Sequence, residues 1–133
     1  MSFTGPIEDR IAIRETLEAY ADAVFRRDAQ AWGANWAEDS VWDLAGTEVS
    51  GKANIIGLWT TAMAGFSFVA FFVQPGEIKI DGNHATVRSY TVEHLADAEG
   101  KSRHIIGCYD DKLIKDNGAW RFAKRVYRIL RDS

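Results

Sequence analysis

The first part of the chain carries a helical pattern of hydrophobic positions. Four of them recur at intervals of three or four residues and share one helical face: Ile13, Leu17, Tyr20 and Val24. They predict a helix through the stretch Ile13 to Asp28. Its start is expected near Pro6, since proline suits the first turn of a helix. Tyr20 is the polar member of this face, because a buried phenol O–H needs a partner within the protein or a ligand.

Two further helices and a short strand are predicted next: helices over Ala29 to Ala37 and Lys52 to Ala64, and a strand over Ser40 to Leu44. Asp28 is a good N-cap for the first of these helices. Trp32 and Trp36 stand one turn apart in it and share a face.

From Ser67 onward the hydrophobic period changes from the helical one to two, which is typical of strands. Five strands are predicted: Phe68–Val73, Gly76–Ile80, Thr86–His94, Ile105–Lys115 and Trp120–Leu130. Short turns join the last three into an antiparallel meander. Helices first and strands after indicate an α+β fold, with three helices on one face of a curved, mainly antiparallel sheet, as one domain over residues 1–133.

Composition, charge and cysteine count exclude several classes of partner and site. The 133 residues are 47% hydrophobic and 26% charged, with a formal charge of −3, so nucleic acid and anionic membranes are not expected partners. Cys108 is the single cysteine, which excludes a disulfide framework and a cysteine-rich metal site. No signal peptide or membrane span is recognisable, and a cytoplasmic location is the default expectation.

The order helix, helix, short strand, helix, meander resembles the SnoaL-like branch of the nuclear transport factor 2-like superfamily. Three segments carry the resemblance: YADAVFRRD, IDGNHATVRSY and the G-x-Y-x-D…G-x-W pattern from Gly107 to Trp120. It implies a cone-shaped α+β barrel that encloses an apolar pocket, often in a homodimer. Similar members include polyketide cyclases, scytalone dehydratase, ketosteroid isomerase and hexachlorocyclohexane dehydrochlorinase, whereas others only bind or scaffold.

The dehydratase and dehydrochlorinase members use an aspartate and a histidine as a proton-transfer dyad. In this chain the resemblance places Phe25 and Phe71 at those two positions, and phenylalanine transfers no protons. Asp22 lies opposite the buried face of its helix. Asp43 alternates with Trp42 along a strand, so it points away from the pocket if Trp42 faces it. The sequence therefore offers no direct replacement for the dyad.

A second family pattern fits better. In ketosteroid isomerase a tyrosine and a protonated aspartate donate hydrogen bonds to an enolate oxygen. The resemblance places Tyr20 and Asp111 at those positions, and Leu44 at the position of that enzyme's base. The alternative is that Tyr20 and Asp111 simply satisfy each other in the core. Arg125, if a bulge turns it inward, resembles an arginine with which the dehydrochlorinase holds its leaving chloride.

The three histidines leave several interpretations open. His84 adjoins a turn, whereas His94 and His104 flank the loop between two strands and should be cross-strand neighbours. As a pair they could bind a metal ion or supply a base, with His94 at the pocket mouth, or they could be a surface pair. Spacing identifies no third ligand, so neither a metal site nor a cofactor is predicted.

The prediction is a small-molecule pocket protein with Tyr20, Asp111 and His94 as catalytic candidates. The predicted lining of the ligand pocket is Phe25, Trp36, Trp42, Leu44, Phe71, Tyr90, Gly107, Tyr109, Trp120 and Arg125. Such walls suit a flat hydrophobic ligand such as a polyketide, steroid-like or aromatic compound. A cyclase, isomerase or dehydratase is the first hypothesis, and a non-catalytic ligand-binding or dimerisation module is the alternative.

Overall fold

A computed structural model describes all 133 residues as three helices and seven strands. In chain order the elements are β1 (Phe3–Thr4), α1 (Ile7–Arg26), α2 (Ala29–Gly33), β2 (Trp36–Leu44), β3 (Thr47–Ser50), α3 (Lys52–Met63), β4 (Phe66–Asp81), β5 (His84–Asp97), β6 (Ser102–Asp116) and β7 (Ala119–Asp132). The strands form one sheet in the order β1-β4-β5-β6-β7-β2-β3. The α+β class predicted from the sequence is confirmed.

Helix α1 begins after Pro6, as predicted, and buries the predicted stripe together with Ala23. It ends at Arg26, and the capping residue Arg27 has a left-handed backbone with φ 56°. The Arg27 guanidinium donates hydrogen bonds to the carbonyls of Met63 and Phe66, at 2.9 and 3.0 Å. These bonds tie the end of α1 to the junction between α3 and β4, because the carbonyls of a helix end need donors.

The second helix is shorter than predicted. Asp28 caps it as expected by accepting a bond from the Ala31 N–H at 3.0 Å, but α2 ends at Gly33. Trp36 begins β2 instead, where it pairs with Phe122 of β7. The tryptophan spacing fitted one helical face, yet pairing with a distant strand overrode this local pattern. Trp32 and Trp36 are both fully buried all the same.

The sheet is mixed but mostly antiparallel. Strands β5 to β7 form the predicted antiparallel meander, and β4 extends it by pairing antiparallel with β5. Strand β1 pairs with β4 and β2 pairs with β7 in parallel. The two segments predicted as separate strands are one long strand, β4, with a register shift between Pro75 and Glu77. Strands β1 and β3 were not predicted, because they are too short to show an alternating pattern.

The inner face of the sheet packs against the helices. In β5 the buried residues are odd-numbered, Ala85, Val87, Ser89, Thr91 and Leu95, so odd positions face inward. Register pairing then places odd residues of β6 on the same face. In β7 a register shift opposite Lys112 and Leu113 leaves Ala123 without a partner, so that Phe122 and Arg125 both face inward.

One end of the interior is closed by α1 and β7. The Trp120 indole donates to Asp9 Oδ1 at 3.0 Å, and Lys115 Nζ lies 3.1 Å from the same oxygen. The α1 helix therefore crosses the sheet from this closed end to the β4 start near Arg27. None of the helices is both long and apolar enough to cross a membrane.

Candidate functional site

An ion pair lies in the middle of the interior. Arg125 Nε donates to Asp111 Oδ1 at 2.8 Å, and Arg125 Nη2 donates to Asp111 Oδ2 at 3.0 Å. Both side chains are buried, with at most 1% of their surface exposed. Bidentate bonds of this kind are strong and fix the plane of the guanidinium. Asp111 is therefore inward-facing, as predicted, but both of its oxygens accept bonds from Arg125.

This pairing corrects the role predicted for Asp111. A protonated aspartate that donates to a ligand needs a free oxygen, and here the Arg125 donors occupy both. Burial raises the pKa of the Asp111 carboxyl, and the Arg125 guanidinium opposes that rise. Burial acts to lower the pKa of Arg125, but Asp111 reverses the effect and the pKa is raised. Asp111 therefore holds Arg125 in place. It offers no hydrogen-bond donor of its own to the interior.

Three aromatic rings enclose the Arg125 guanidinium. Its carbon lies 3.6 Å from the ring centre of Tyr109, 4.1 Å from that of Phe122 and 4.6 Å from that of Tyr20. A cation over aromatic faces is attracted by their quadrupoles, most strongly where water is excluded. The rings and Asp111 together hold the guanidinium in one orientation.

The two tyrosines of this cage are hydrogen-bond donors at neutral pH. Burial raises the pKa of the Tyr20 phenol and raises that of Tyr109 well above its ordinary value. Arg125 opposes the rise in both, but both phenols remain protonated. Trp42 Nε1 donates to the Tyr109 hydroxyl at 3.1 Å, which orients that group.

Several buried polar atoms of the interior have no hydrogen-bond partner in the protein. Arg125 Nη1 and Trp36 Nε1 are donors of this kind, and Ser40 Oγ and Ser89 Oγ are hydroxyls of this kind. Trp32 Nε1 and Thr91 Oγ1 interact weakly with the Tyr20 and Tyr127 hydroxyls. Buried polar groups are nearly always bonded in folded proteins, since an unbonded one costs about 1–3 kcal/mol. Arg125 Nη1 is charged and lies beside the Tyr20 and Tyr109 rings, so it is the strongest candidate among them to bond a polar atom of a ligand or of water.

Glu93 is a site residue that the sequence interpretation missed. It lies at an odd position of β5 and faces inward, where its Oε1 accepts a bond from the Tyr127 hydroxyl at 3.1 Å. Burial raises the pKa of the Glu93 carboxyl, although the Tyr127 hydroxyl and Arg103 oppose that rise. The odd position of Glu93 in its strand could have identified it, because a carboxylate at an inward position of a buried strand is rare.

Contacts connect Glu93 to the ion pair. The Tyr127 ring lies 4.8 Å from that of Tyr109, which in turn covers Arg125. Gly107 makes room for this row, since a Cβ at that position would lie 2.5 Å from the Tyr127 hydroxyl oxygen. Glu93 and Arg125 thus lie on the same inner face of the sheet, connected through the side chains of Tyr127 and Tyr109.

Three predicted site residues lie outside the interior. His94 and Tyr90 occupy even positions of β5 and face outward, so His94 does not approach Tyr20 or Asp111. Phe25 is 42% exposed and packs edge-to-face against Phe72, with ring centres 5.3 Å apart. His94 faces outward because it occupies an even position of the strand. Phe25 is exposed because it lies one residue beyond the buried Val24 on the helix.

The other predicted lining residues face inward, at different places. Trp36, Trp42, Phe71 and Tyr109 are buried around Tyr20 and Arg125, whereas Leu44 is partly buried at the β2–β3 turn. Trp120 is buried at the closed end beside Asp9. Asp22, as predicted, is exposed and pairs with Arg26. No three His, Cys, Asp or Glu side chains come together as a metal-ligand set.

The interior around Tyr20 is filled by rings. Tyr20 lies 5.3 Å from Trp32, 5.5 Å from Phe71 and 5.7 Å from Phe122, measured between ring centres. The largest of the four main cavities, of about 540 Å³, lies instead near the β4–β5 turn, beside His84 and Ile114. None of the four is lined by Tyr20, Phe71 or Tyr109. A ligand at the ion pair must therefore displace rings such as Phe71.

Comparison with solved structures finds the same fold in several proteins. A candidate aromatic ring hydroxylase from Novosphingobium aromaticivorans is 28% identical, with a TM-score of 0.90 over 98% of this chain and 95% of that one. A candidate scytalone dehydratase from the same organism is 18% identical, with a TM-score of 0.86 over 96% and 87%. A type 3 hexachlorocyclohexane dehydrochlorinase from Novosphingobium barchaimii is 15% identical, with a TM-score of 0.85 over 96% and 90%.

Comparison with curated protein sequences finds no match. The family model that matches is the SnoaL-like domain, over residues 6–126, which is nearly the whole chain. That match, with the helix order and mixed seven-stranded sheet described above, agrees with the resemblance seen in the sequence. The chain belongs to the SnoaL-like domain family.

Proposed function

We propose that this protein is a lyase- or isomerase-type enzyme that acts on a small hydrophobic molecule bearing a carbonyl or phenol oxygen. The observation that carries the proposal is the buried Arg125 Nη1, a charged donor without a partner inside an aromatic cage. A donor held in place before the ligand arrives stabilises negative charge on an oxygen most effectively in a dry site. The related candidate dehydratase and dehydrochlorinase support an elimination or isomerisation reaction.

In this proposal each residue has a distinct task. Tyr20 O–H and Arg125 Nη1 polarise the ligand oxygen, while Asp111 holds the guanidinium in place. Glu93, whose raised pKa brings it closer to neutrality, accepts a proton from carbon and returns it. Aromatic neighbours such as Trp36 and Phe71 would stack on a flat polycyclic or aromatic ligand.

The test is a matched pair of ligands, 2-naphthol and naphthalene, measured by thermal shift on the wild type and on Tyr20→Phe. 2-Naphthol should stabilise the wild type more than naphthalene does, because only the naphthol offers an oxygen. Tyr20→Phe should weaken 2-naphthol binding by about 2–10-fold, the effect of one hydrogen bond, and leave naphthalene binding unchanged. Absence of any difference between the two ligands would contradict the proposal.

Turnover is tested with Glu93→Gln on any substrate that such screening reveals. Loss of the proton acceptor should lower kcat by about 10²–10⁴-fold and leave ligand binding nearly intact. Glu99→Gln, in the exposed β5–β6 turn, is the matched control and should behave as the wild type. An unchanged kcat in Glu93→Gln would remove Glu93 from the mechanism.

The second candidate is a module without chemistry, which binds a ligand or a second copy of itself. Phe71 favours it, since this ring is buried against Tyr20 where the dyad histidine of related enzymes would stand. The location of the main cavities away from Tyr20 also favours it. Failure of every oxygen-bearing aromatic ligand to stabilise the wild type would support this candidate over the enzyme.

A further inference from the structure

A pair of histidines stands on the outer face of the sheet, away from the site above. His94 of β5 and His104 of β6 are direct cross-strand partners, and both side chains are exposed. Their Nε2 atoms lie 3.2 Å apart, with ring centres 4.2 Å apart and an interplanar angle of 80°. The two imidazoles thus hold their Nε2 atoms next to each other.

The backbone fixes this closeness. The N–H and C=O of His104 both bond to Ser133, at 2.7 and 2.9 Å, and therefore point away from β5. His94 and His104 consequently form a non-hydrogen-bonded pair of an antiparallel ladder, the type whose side chains lie closest together. The Phe68 ring packs edge-on against His94, with centres 6.0 Å apart, and restricts the rotation of that imidazole.

The distance between the nitrogens matches a shared metal ion. Two ligand nitrogens on tetrahedral Zn²⁺, each at about 2.0–2.1 Å, are about 3.3 Å apart. Without a metal the same separation requires an N–H···N bond, in which one Nε2 carries the proton and the other accepts it. Metal binding replaces that shared proton, which moves to an Nδ1 through solvent, and both Nε2 lone pairs then bind the ion.

We propose that His94 and His104 form a two-histidine site for a divalent transition-metal ion, with Zn²⁺ as its type ligand. Imidazole suits Zn²⁺ and Cu²⁺, whereas hard ions such as Mg²⁺ and Ca²⁺ prefer oxygen ligands. The remaining coordination positions lie on the outer side of the sheet and are filled by water or by a ligand from outside the chain. The site lies on the opposite face of the sheet from Arg125, so it is independent of the proposed function.

The test is calorimetric titration of tag-free protein with Zn²⁺ at neutral pH. Wild type should bind at one ion per chain, or one per two chains that share the site, whereas His94→Ala and His104→Ala should each bind at least about tenfold more weakly. The third histidine supplies the matched control, and His84→Ala should bind as the wild type does. Mg²⁺ should give no binding at the same concentrations.

A spectroscopic measurement keeps the proposal open to refutation if a variant is poorly folded. Cu²⁺ bound to the wild type should show two equivalent histidine nitrogens by electron paramagnetic resonance, and the double variant His94→Ala/His104→Ala should lose that signature. Zn²⁺ affinity that is equal in the wild type and the double variant would overturn the proposal. So would a Cu²⁺ spectrum with fewer than two nitrogen ligands.

Discussion

Arg125 is the residue on which the interior depends. Its charge is buried with that of Asp111, and the cost of removing two charges from water is offset only while both partners are present. The exposed pair of Arg26 and Asp22 has a similar N–O distance, 2.9 Å, but makes a single bond and lies in solvent. The two ion pairs therefore differ far more in their contribution to the free energy of unfolding than in their N–O distance.

Arg125→Met should destabilise the protein by about 3–5 kcal/mol, because it leaves the Asp111 carboxylate buried without a partner. The double variant Arg125→Met/Asp111→Leu should recover most of this loss, since it buries no charge. Asp22→Ala, which breaks the exposed pair, should have little effect on stability because solvent screens both charges. Urea denaturation measures all three, and a double variant no more stable than Arg125→Met would contradict the argument.

Glu93 should make stability depend on pH. Its folded pKa is raised above the unfolded value, so the folded state holds its proton to higher pH than the unfolded state does. The wild type should therefore lose stability relative to Glu93→Gln as the pH rises from about 4 toward neutrality, through the window above the ordinary glutamate pKa. Denaturant melts of both proteins at pH 4 and pH 7 measure the difference, and a difference that is constant with pH would refute the prediction.

At the scale of elements, the β6–β7 pair shapes the site. The unpaired Ala123 rotates the second half of β7, so that Arg125 and Tyr127 face inward. Opposite them, Gly107 leaves space that the Tyr127 ring fills. The irregular strand and the glycine act together, because the first turns Tyr127 inward and the second leaves room for its ring beside Glu93.

Gly107→Ala should destabilise the protein by about 1–3 kcal/mol, the usual cost of overpacking, because the new Cβ would overlap the Tyr127 side chain. Gly57→Ala is the matched control, since a Cβ there meets nothing within 4 Å and the position lies inside α3. That control should gain about 0.4–1 kcal/mol. Thermal denaturation distinguishes the two, and equal effects would contradict the packing argument.

At the scale of the whole molecule, the outer face of the sheet carries an exposed apolar surface. Its members on β4, β5 and β6 are Phe68, Phe72, Tyr90, Val92 and Ile106, each 40–60% exposed. Large exposed apolar patches usually mark interaction sites, whereas scattered single residues do not. We propose this surface as the place where two copies of the chain would meet in the homodimer that the family resemblance implies.

Val92→Glu should shift the protein to a monomer in analytical ultracentrifugation, because it places a charge within this apolar face. Ile11→Glu is the control, an exposed apolar residue of α1 that lies on another surface. It should leave the sedimentation coefficient of the wild type unchanged. A wild type that sediments as a monomer at every concentration would refute the homodimer.

The sequence by itself determined the elements with strong local signals: the amphipathic α1, the Asp28 cap, the long strands and hence the α+β class. Their periodicity and capping depend on neighbours a few residues apart, which one sequence displays directly. The same signals placed Tyr20 and Asp111 on inward faces. The family resemblance, carried by the order of these elements, was confirmed for the same reason.

Only the tertiary structure decided which side chains meet. Trp36 lies in a strand and not in a helix because β2 pairs with β7. Arg125 faces Asp111 because Ala123 is unpaired in β7. Glu93 faces inward and His94 outward because odd positions of β5 point to the interior. Each outcome depends on register between strands far apart in the chain. A shift of one residue reverses every side chain that follows, so local patterns leave such contacts open.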